Sequence, residues 1–91
     1  MARVAVLLTV IPSSIDVNLS ELLREIERAL PADFKVLSSG EEPLAFGIKA
    51  LKILVSMPED YEGGTDALEE AVRSVQGVED VQVEAVTRLS G

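Results

Sequence analysis

Apolar residues recur along this chain with two periods, and the periods divide it into six elements. Val4, Val6, Leu8 and Val10 alternate with Ala5, Leu7, Thr9 and Ile11, so both faces are apolar and β-branched residues are frequent. That pattern predicts a central strand covered on at least one face, ended by Pro12, Ser13 and Ser14. A helical period takes over at Leu19, Leu22, Leu23, Ile26 and Leu30, with Glu21, Arg24, Glu25, Glu27 and Arg28 off the stripe. The segment reads as an amphipathic helix lying on a sheet. Asn18 is its expected N-cap, Glu21 the capping-box partner, Val17 and Leu22 a hydrophobic staple, and Pro31 its stop.

Phe34, Val36 and Ser38 alternate with Lys35, Leu37 and Ser39, predicting a short edge strand that fades into Gly40, Glu41 and Glu42. From Ile48 to Met57, Leu51, Ile53, Val55 and Met57 share one side, and Ile48, Ala50, Lys52, Leu54 and Ser56 the other. Lys52 among apolar neighbours points to a partly wet face. Pro43 cannot donate to a ladder and Gly47 interrupts the pattern, so this strand is expected to be entered through an irregular, bulged approach. Phe46 sits on that approach, either as a core plug or as a presented contact.

The polar stretch Pro58-Glu59-Asp60-Tyr61-Glu62-Gly63-Gly64 carries three acids but not the alternating acids, central glycine and distal glutamate of a calcium loop. It reads as a solvated loop delivering the chain to a second helix, capped by Thr65. The stripe of that helix is Leu68, Ala71, Val72 and Val75, its acids Asp66, Glu69 and Glu70 suit the first turns, and Gly77 stands as its C′ residue. Val81, Val83 and Ala85 then alternate with Gln82, Glu84 and Val86 in an amphipathic strand running to the C-terminus. Strand, helix, strand, strand, helix, strand predicts an α+β fold. It is the ferredoxin-like βαββαβ sandwich, a four-stranded antiparallel sheet with two helices on one face. The other face is left for solvent, an oligomer partner or a client protein.

Composition narrows what such a fold can do. Ninety-one residues suit one domain, spanning 1–91, and apolar residues make up 47% against 3% aromatic, so packing must be aliphatic. The chain has no cysteine and no histidine. This removes disulfides, thiolate metal sites and Ser/His/Asp or Cys/His catalysis, and favours an intracellular setting. Sixteen acids against eight bases give a net charge of −8. Direct nucleic-acid binding is therefore disfavoured, and a protein partner with a basic surface fits better. The apolar N-terminal run carries Arg3 and alternates as a strand does, and nothing approaches 18 continuous apolar residues, so no signal peptide, membrane span or membrane attachment is expected.

The sheet also lacks the central aromatics of an RNA-recognition surface. Ile11-Pro12-Ser13-Ser14-Ile15-Asp16 offers neither the glycines nor the arginine of a phosphate loop. Adjacent acids, Glu41-Glu42, Glu59-Asp60 and Glu69-Glu70, make no acid/base site without a pocket. No catalytic, metal-binding or cofactor-binding residue is assigned, and the chain reads as a binding module rather than an enzyme. From the residues alone, a small regulatory or oligomerisation domain that binds a metabolite or partner protein remains open.

The segment Glu42-Pro43-Leu44-Ala45-Phe46-Gly47-Ile48-Lys49-Ala50-Leu51 closely resembles the signature of the translation elongation factor 1-beta family. These proteins are the guanine nucleotide exchange factors of the elongation factor 1-alpha GTPase. The similarity to the short archaeal form covers nearly the whole chain. It includes the first strand ending in proline, Asp16-Val17-Asn18-Leu19 opening the first helix, Glu62-Gly63-Gly64-Thr65 before the second, and Val86-Thr87-Arg88-Leu89 near the end. Eukaryotic relatives carry this domain behind N-terminal extensions absent here.

The resemblance implies a cytoplasmic, cofactor-free domain that grips GDP-bound elongation factor 1-alpha, disturbs its magnesium and phosphate site, and releases GDP so that GTP can rebind. It assigns Phe46 and Gly47 to the interface as the family's contact aromatic and its glycine. Arg88 before Leu89 matches the basic residue held to invade the magnesium site. Eukaryotic relatives have lysine there, and this chain continues through Ser90 and Gly91. Arginine is bulkier and forked, and a solvated arginine at a strand end is the other reading. Lys49, with Lys52, offers positive charge to acidic groups of the GTPase, or simply stands in solvent. The oligomeric state is open.

Overall fold

In the computed structural model, which describes residues 2–89, β1 (Arg3–Pro12) lies inside a four-stranded sheet. It sits between β3 (Lys49–Pro58) and β4 (Val78–Leu89), with β2 (Lys35–Pro43) beyond β3, and neighbouring strands are antiparallel. Each helix, α1 (Leu19–Ala29) after β1 and α2 (Gly64–Arg73) after β3, carries the chain over one strand to the next position. The predicted βαββαβ architecture is therefore the observed one.

The core forms between the helices and one face of the sheet. Val6, Leu8 and Val10 of β1, Leu51, Ile53, Val55 and Met57 of β3, and Val81 of β4 meet Leu22 and Ile26 of α1 and Leu68, Val72 and Val75 from the α2 segment. At about 25 cal/mol per Å² of apolar surface removed from water, this aliphatic layer is the dominant stabilising term. Phe34 joins it just before β2, with the Tyr61 ring edge-on at 4.8 Å. The open face is built from smaller groups: Ala5, Thr9, Ala50 and Ser56 are buried, while Leu7 and Leu54 pair across the strands and stay half-buried.

Asn18 caps α1 as expected, its side chain accepting from the Glu21 amide at 3.0 Å. Val17 and Leu22 both lie against Gly77. The other helix signals are placed differently. Gly63, not Thr65, is the N-cap of α2, and its carbonyl accepts from the Asp66 and Ala67 amides. Gly63 and Gly64 have φ of 91° and 55°; glycine makes this left-handed entry without a Cβ penalty, so the helix starts before the threonine. Gly77 is left-handed at φ 100° but lies beyond the end of α2, which closes at Ser74 with its amide bonded to the Glu70 carbonyl.

The strands carry three corrections. β2 does not fade at Gly40 but runs on to Pro43, because the β3 backbone offers continuous partners from Ser56 to Lys49 and a ladder needs no apolar side chains. A register shift lies at Leu37, between the Val36 and Ser38 pairings, while the entrance to β3 is irregular as expected but through a turn at Ala45–Gly47 rather than a bulge. In β4, Leu7 pairs with Ala85 but Leu8 with Val83, so Glu84 is the extra residue of a bulge. The expected alternation is reversed past that point. Ala85 lies opposite Leu7 on the open face, and Val86 and Arg88 lie opposite Val6 and Val4 on the helix-covered side. The Thr9 hydroxyl donates to the Glu84 carboxylate at 3.1 Å and ties the bulge to β1.

Candidate functional site

The segment joining β2 to β3 is a hairpin loop built around a short 3₁₀-type turn, Ala45–Gly47. Pro43 still pairs opposite Lys49 at the end of the ladder. The Leu44 amide then donates to the Ile48 carbonyl at 2.6 Å, and the Ile48 amide to the Ala45 carbonyl at 3.3 Å. Closing this loop takes two successive left-handed residues, Phe46 at φ 60°, ψ 33° and Gly47 at φ 77°. Phe46 is the one non-glycine residue with positive φ among those described. A phenylalanine there is strained by roughly 1–2 kcal/mol.

That strain goes with exposure. The Phe46 ring is 95% exposed, so the core-plug alternative does not hold. Leu44 beside it is 39% exposed, and Ile15, in the turn between β1 and α1, is 65% exposed. Gly47 and Lys49 line one wall of an open groove of about 340 Å³, with Pro12, Ile15 and Asn18 among the residues opposite. Lys49 Nζ stands 3.8 Å from Glu41, and Lys52 Nζ 4.0 Å from Glu42, so both lysines have carboxylate neighbours on β2.

Arg88 and Leu89 lie at the other end of the sheet. Arg88 is opposite Val4, and Leu89 opposite Arg3, which itself pairs with Pro58 at the end of β3. The sequence-predicted residues therefore form two groups: Phe46, Gly47 and Lys49 at one end, Arg88 and Leu89 at the other, and these last two on opposite faces. The Arg88 guanidinium is bonded to the Glu59 carboxylate, and that bond and charge hold it above its ordinary pKa. Sequence reading placed Glu59 only in a solvated acidic loop. The two residues are 29 positions apart, and only the strand order brings them together.

Among the described residues, no three acidic side chains converge in a way that would hold a metal ion, and no helix is long and apolar enough to cross a membrane. What the molecule offers is an exposed aromatic on a shaped hairpin at one end and, at the other, an exposed arginine paired with a carboxylate. Both are suited to binding a macromolecule.

Comparison with known proteins shows the family. Residues 5–89 match the family described as EF-1 guanine nucleotide exchange domain. The chain is 51% identical over 90 residues to elongation factor 1-beta of Hyperthermus butylicus, covering 99% of this chain and 98% of that protein. It is 45% identical over 89 residues to elongation factor 1-beta of Aeropyrum pernix, with 98% and 99% covered. To the Thermofilum pendens protein of the same name it is 47% identical over 91 residues, the full length of both. The chain belongs to the family of EF-1 guanine nucleotide exchange domains, and its function is guanine nucleotide exchange for elongation factor 1-alpha.

Proposed function

We propose that residues 1–91 act as a single exchange-factor domain in the cytoplasm. It binds GDP-bound elongation factor 1-alpha through the Phe46 hairpin and through Arg88, and so speeds GDP release. The observation that carries the reading is the 95% exposed Phe46 ring, held outward by a strained backbone. A large aromatic at a loop tip is the side chain that anchors an interface when it enters a pocket on the partner. Gly47 makes the turn that presents it, and Lys49 supplies charge on the groove wall beside it. At the other end, Arg88 is the cation for the magnesium and phosphate site, with Leu89 following it on the other face.

Exchange makes and breaks no covalent bond. The factor and the nucleotide compete in free energy for the GTPase, and if the factor weakens GDP binding, GDP weakens the factor by the same ratio. A coupling of about 4 kcal/mol gives roughly a thousandfold effect, which calls for direct intrusion of charge or bulk at the nucleotide site. The acidic net charge of −8 suits a partner with basic contact surface.

Stopped-flow release of fluorescent GDP from an archaeal elongation factor 1-alpha tests the reading. Release accelerates with increasing concentration of the chain; a release rate unaffected by the chain overturns it.

A further inference from the structure

We propose that Glu59 is a positioning residue for Arg88, parking its guanidinium across the end of β1 in the free protein and releasing it when the exchange complex forms. The inference rests on the exchange reading above and names a control element within it.

Glu59 follows the last residue of β3, but its backbone is not loose. Its amide donates to the Ala2 carbonyl at 3.0 Å, which carries the contact with the start of β1 one step past the Arg3–Pro58 pairing. Its side chain is 34% exposed, against 72% for Arg88, so the acceptor is the more enclosed partner. Arg88 comes from the far side of β1, opposite Val4, and reaches over that strand to the carboxylate. The bulge at Glu84 sets the face of Arg88. Had the ladder followed the alternation of Val81, Val83 and Ala85, Arg88 would stand on the open side of the sheet.

Among the described residues, Glu59 is the carboxylate partner of Arg88. A guanidinium bonded there cannot at the same time occupy an acidic or phosphate site on a partner, so engagement requires the Glu59 contact to be given up. Whatever Glu59 contributes to the free state is then subtracted from association, as for any two-state element. Exposed ion pairs are weak, so Glu59 slows engagement without blocking it. Arginine keeps its proton across the pH range of folded proteins, so deprotonation does not open the contact.

The test uses the full chain, fluorescent GDP on an archaeal elongation factor 1-alpha, and three variants: Glu59→Gln, Arg88→Gln and the double substitution. Glu59→Gln is expected to raise the second-order exchange rate constant about two- to fivefold at low ionic strength. The gain shrinks as salt screens the pair and vanishes in the Arg88→Gln background. An unchanged or slower rate for Glu59→Gln overturns the proposal. So does an equal gain in the Arg88→Gln background, which would trace the effect to lost acidic charge alone. A readout independent of the GTPase is ¹⁵N relaxation of Arg88 Nε: its order parameter falls in Glu59→Gln, and equal values in both proteins overturn the parking. A wild-type chain without effect on GDP release overturns the exchange reading instead, and the order parameters then decide the Glu59 contact by themselves.

Discussion

Phe46 and Arg88 stand at opposite ends of the sheet, the first beyond the Lys49 end of β3 and the second beside its Met57 end. The nine residue steps from Lys49 to Pro58 correspond to roughly 30 Å of strand, most of the molecule's 41 Å long dimension. A partner touching both must lie along the molecule or meet it at two places.

At this separation the two proposed contacts should act independently. Arg88→Gln and Phe46→Ala should each slow exchange, the aromatic substitution by roughly thirtyfold if it is an anchor of about 2 kcal/mol. In the double variant the two losses of activation free energy add to within about 0.5 kcal/mol. Stopped-flow rates for the four proteins check this; strong non-additivity would show that the two ends act through one shared contact.

Phe46→Gly separates stability from function. Glycine relieves the left-handed strain at φ 60° but adds freedom to the unfolded chain, so the net change runs from neutral to about 1 kcal/mol of stabilisation. Exchange falls because the ring is gone. Urea unfolding with an unchanged slope, read beside the exchange rate, measures both, and a clear loss of stability would mean that the ring packs on its own domain.

Removal of residues 88–91 by truncation after Thr87 is expected to leave the core layer untouched, since Arg88 and Leu89 are exposed at a strand end. The midpoint of thermal unfolding should move by only a few degrees while exchange drops. Full exchange by the truncated chain would remove Arg88 from the mechanism.

The bulge contact predicts a double-mutant cycle. Glu84→Ala strips the acceptor from the buried Thr9 hydroxyl and should cost about 1–2 kcal/mol. Thr9→Val removes the donor and leaves an exposed carboxylate that water can serve, so it costs less. In the double variant most of the Glu84→Ala loss should disappear. Equal, additive losses in denaturant unfolding would show that the bond does not couple the strands.

The glycines are not equivalent. A Cβ at Gly63 would sit 3.2 Å from the Ala67 Cβ on a backbone at φ 91°, whereas one at Gly40 meets nothing within 4 Å and needs no special φ. Gly63→Ala is expected to destabilise by more than about 1 kcal/mol, and Gly40→Ala to be neutral or to stabilise by about 0.5 kcal/mol. Paired denaturation curves of the two variants decide it.

The sequence by itself determined the element order, the core stripe and the Asn18 cap, because local periodicity and capping chemistry act within a few residues. The family resemblance singled out Phe46, Gly47, Lys49, Arg88 and Leu89 as the contact positions proposed above. Composition had excluded the histidine, cysteine and basic-surface alternatives, and the family decapeptide named the partner. It did not determine where β2 ends, which glycine opens α2, or which face Arg88 occupies. Those depend on what a neighbouring strand offers: β3 extends β2 through a stretch with no apolar side chains, and Leu7 and Leu8 skip Glu84 and so turn Arg88 to the helix-covered side. The exposure of Phe46 and its separation from Arg88 were also tertiary decisions. A hairpin closed at one end of β3 and a strand ending at the other fix both, and no short-range pattern in the chain records that distance.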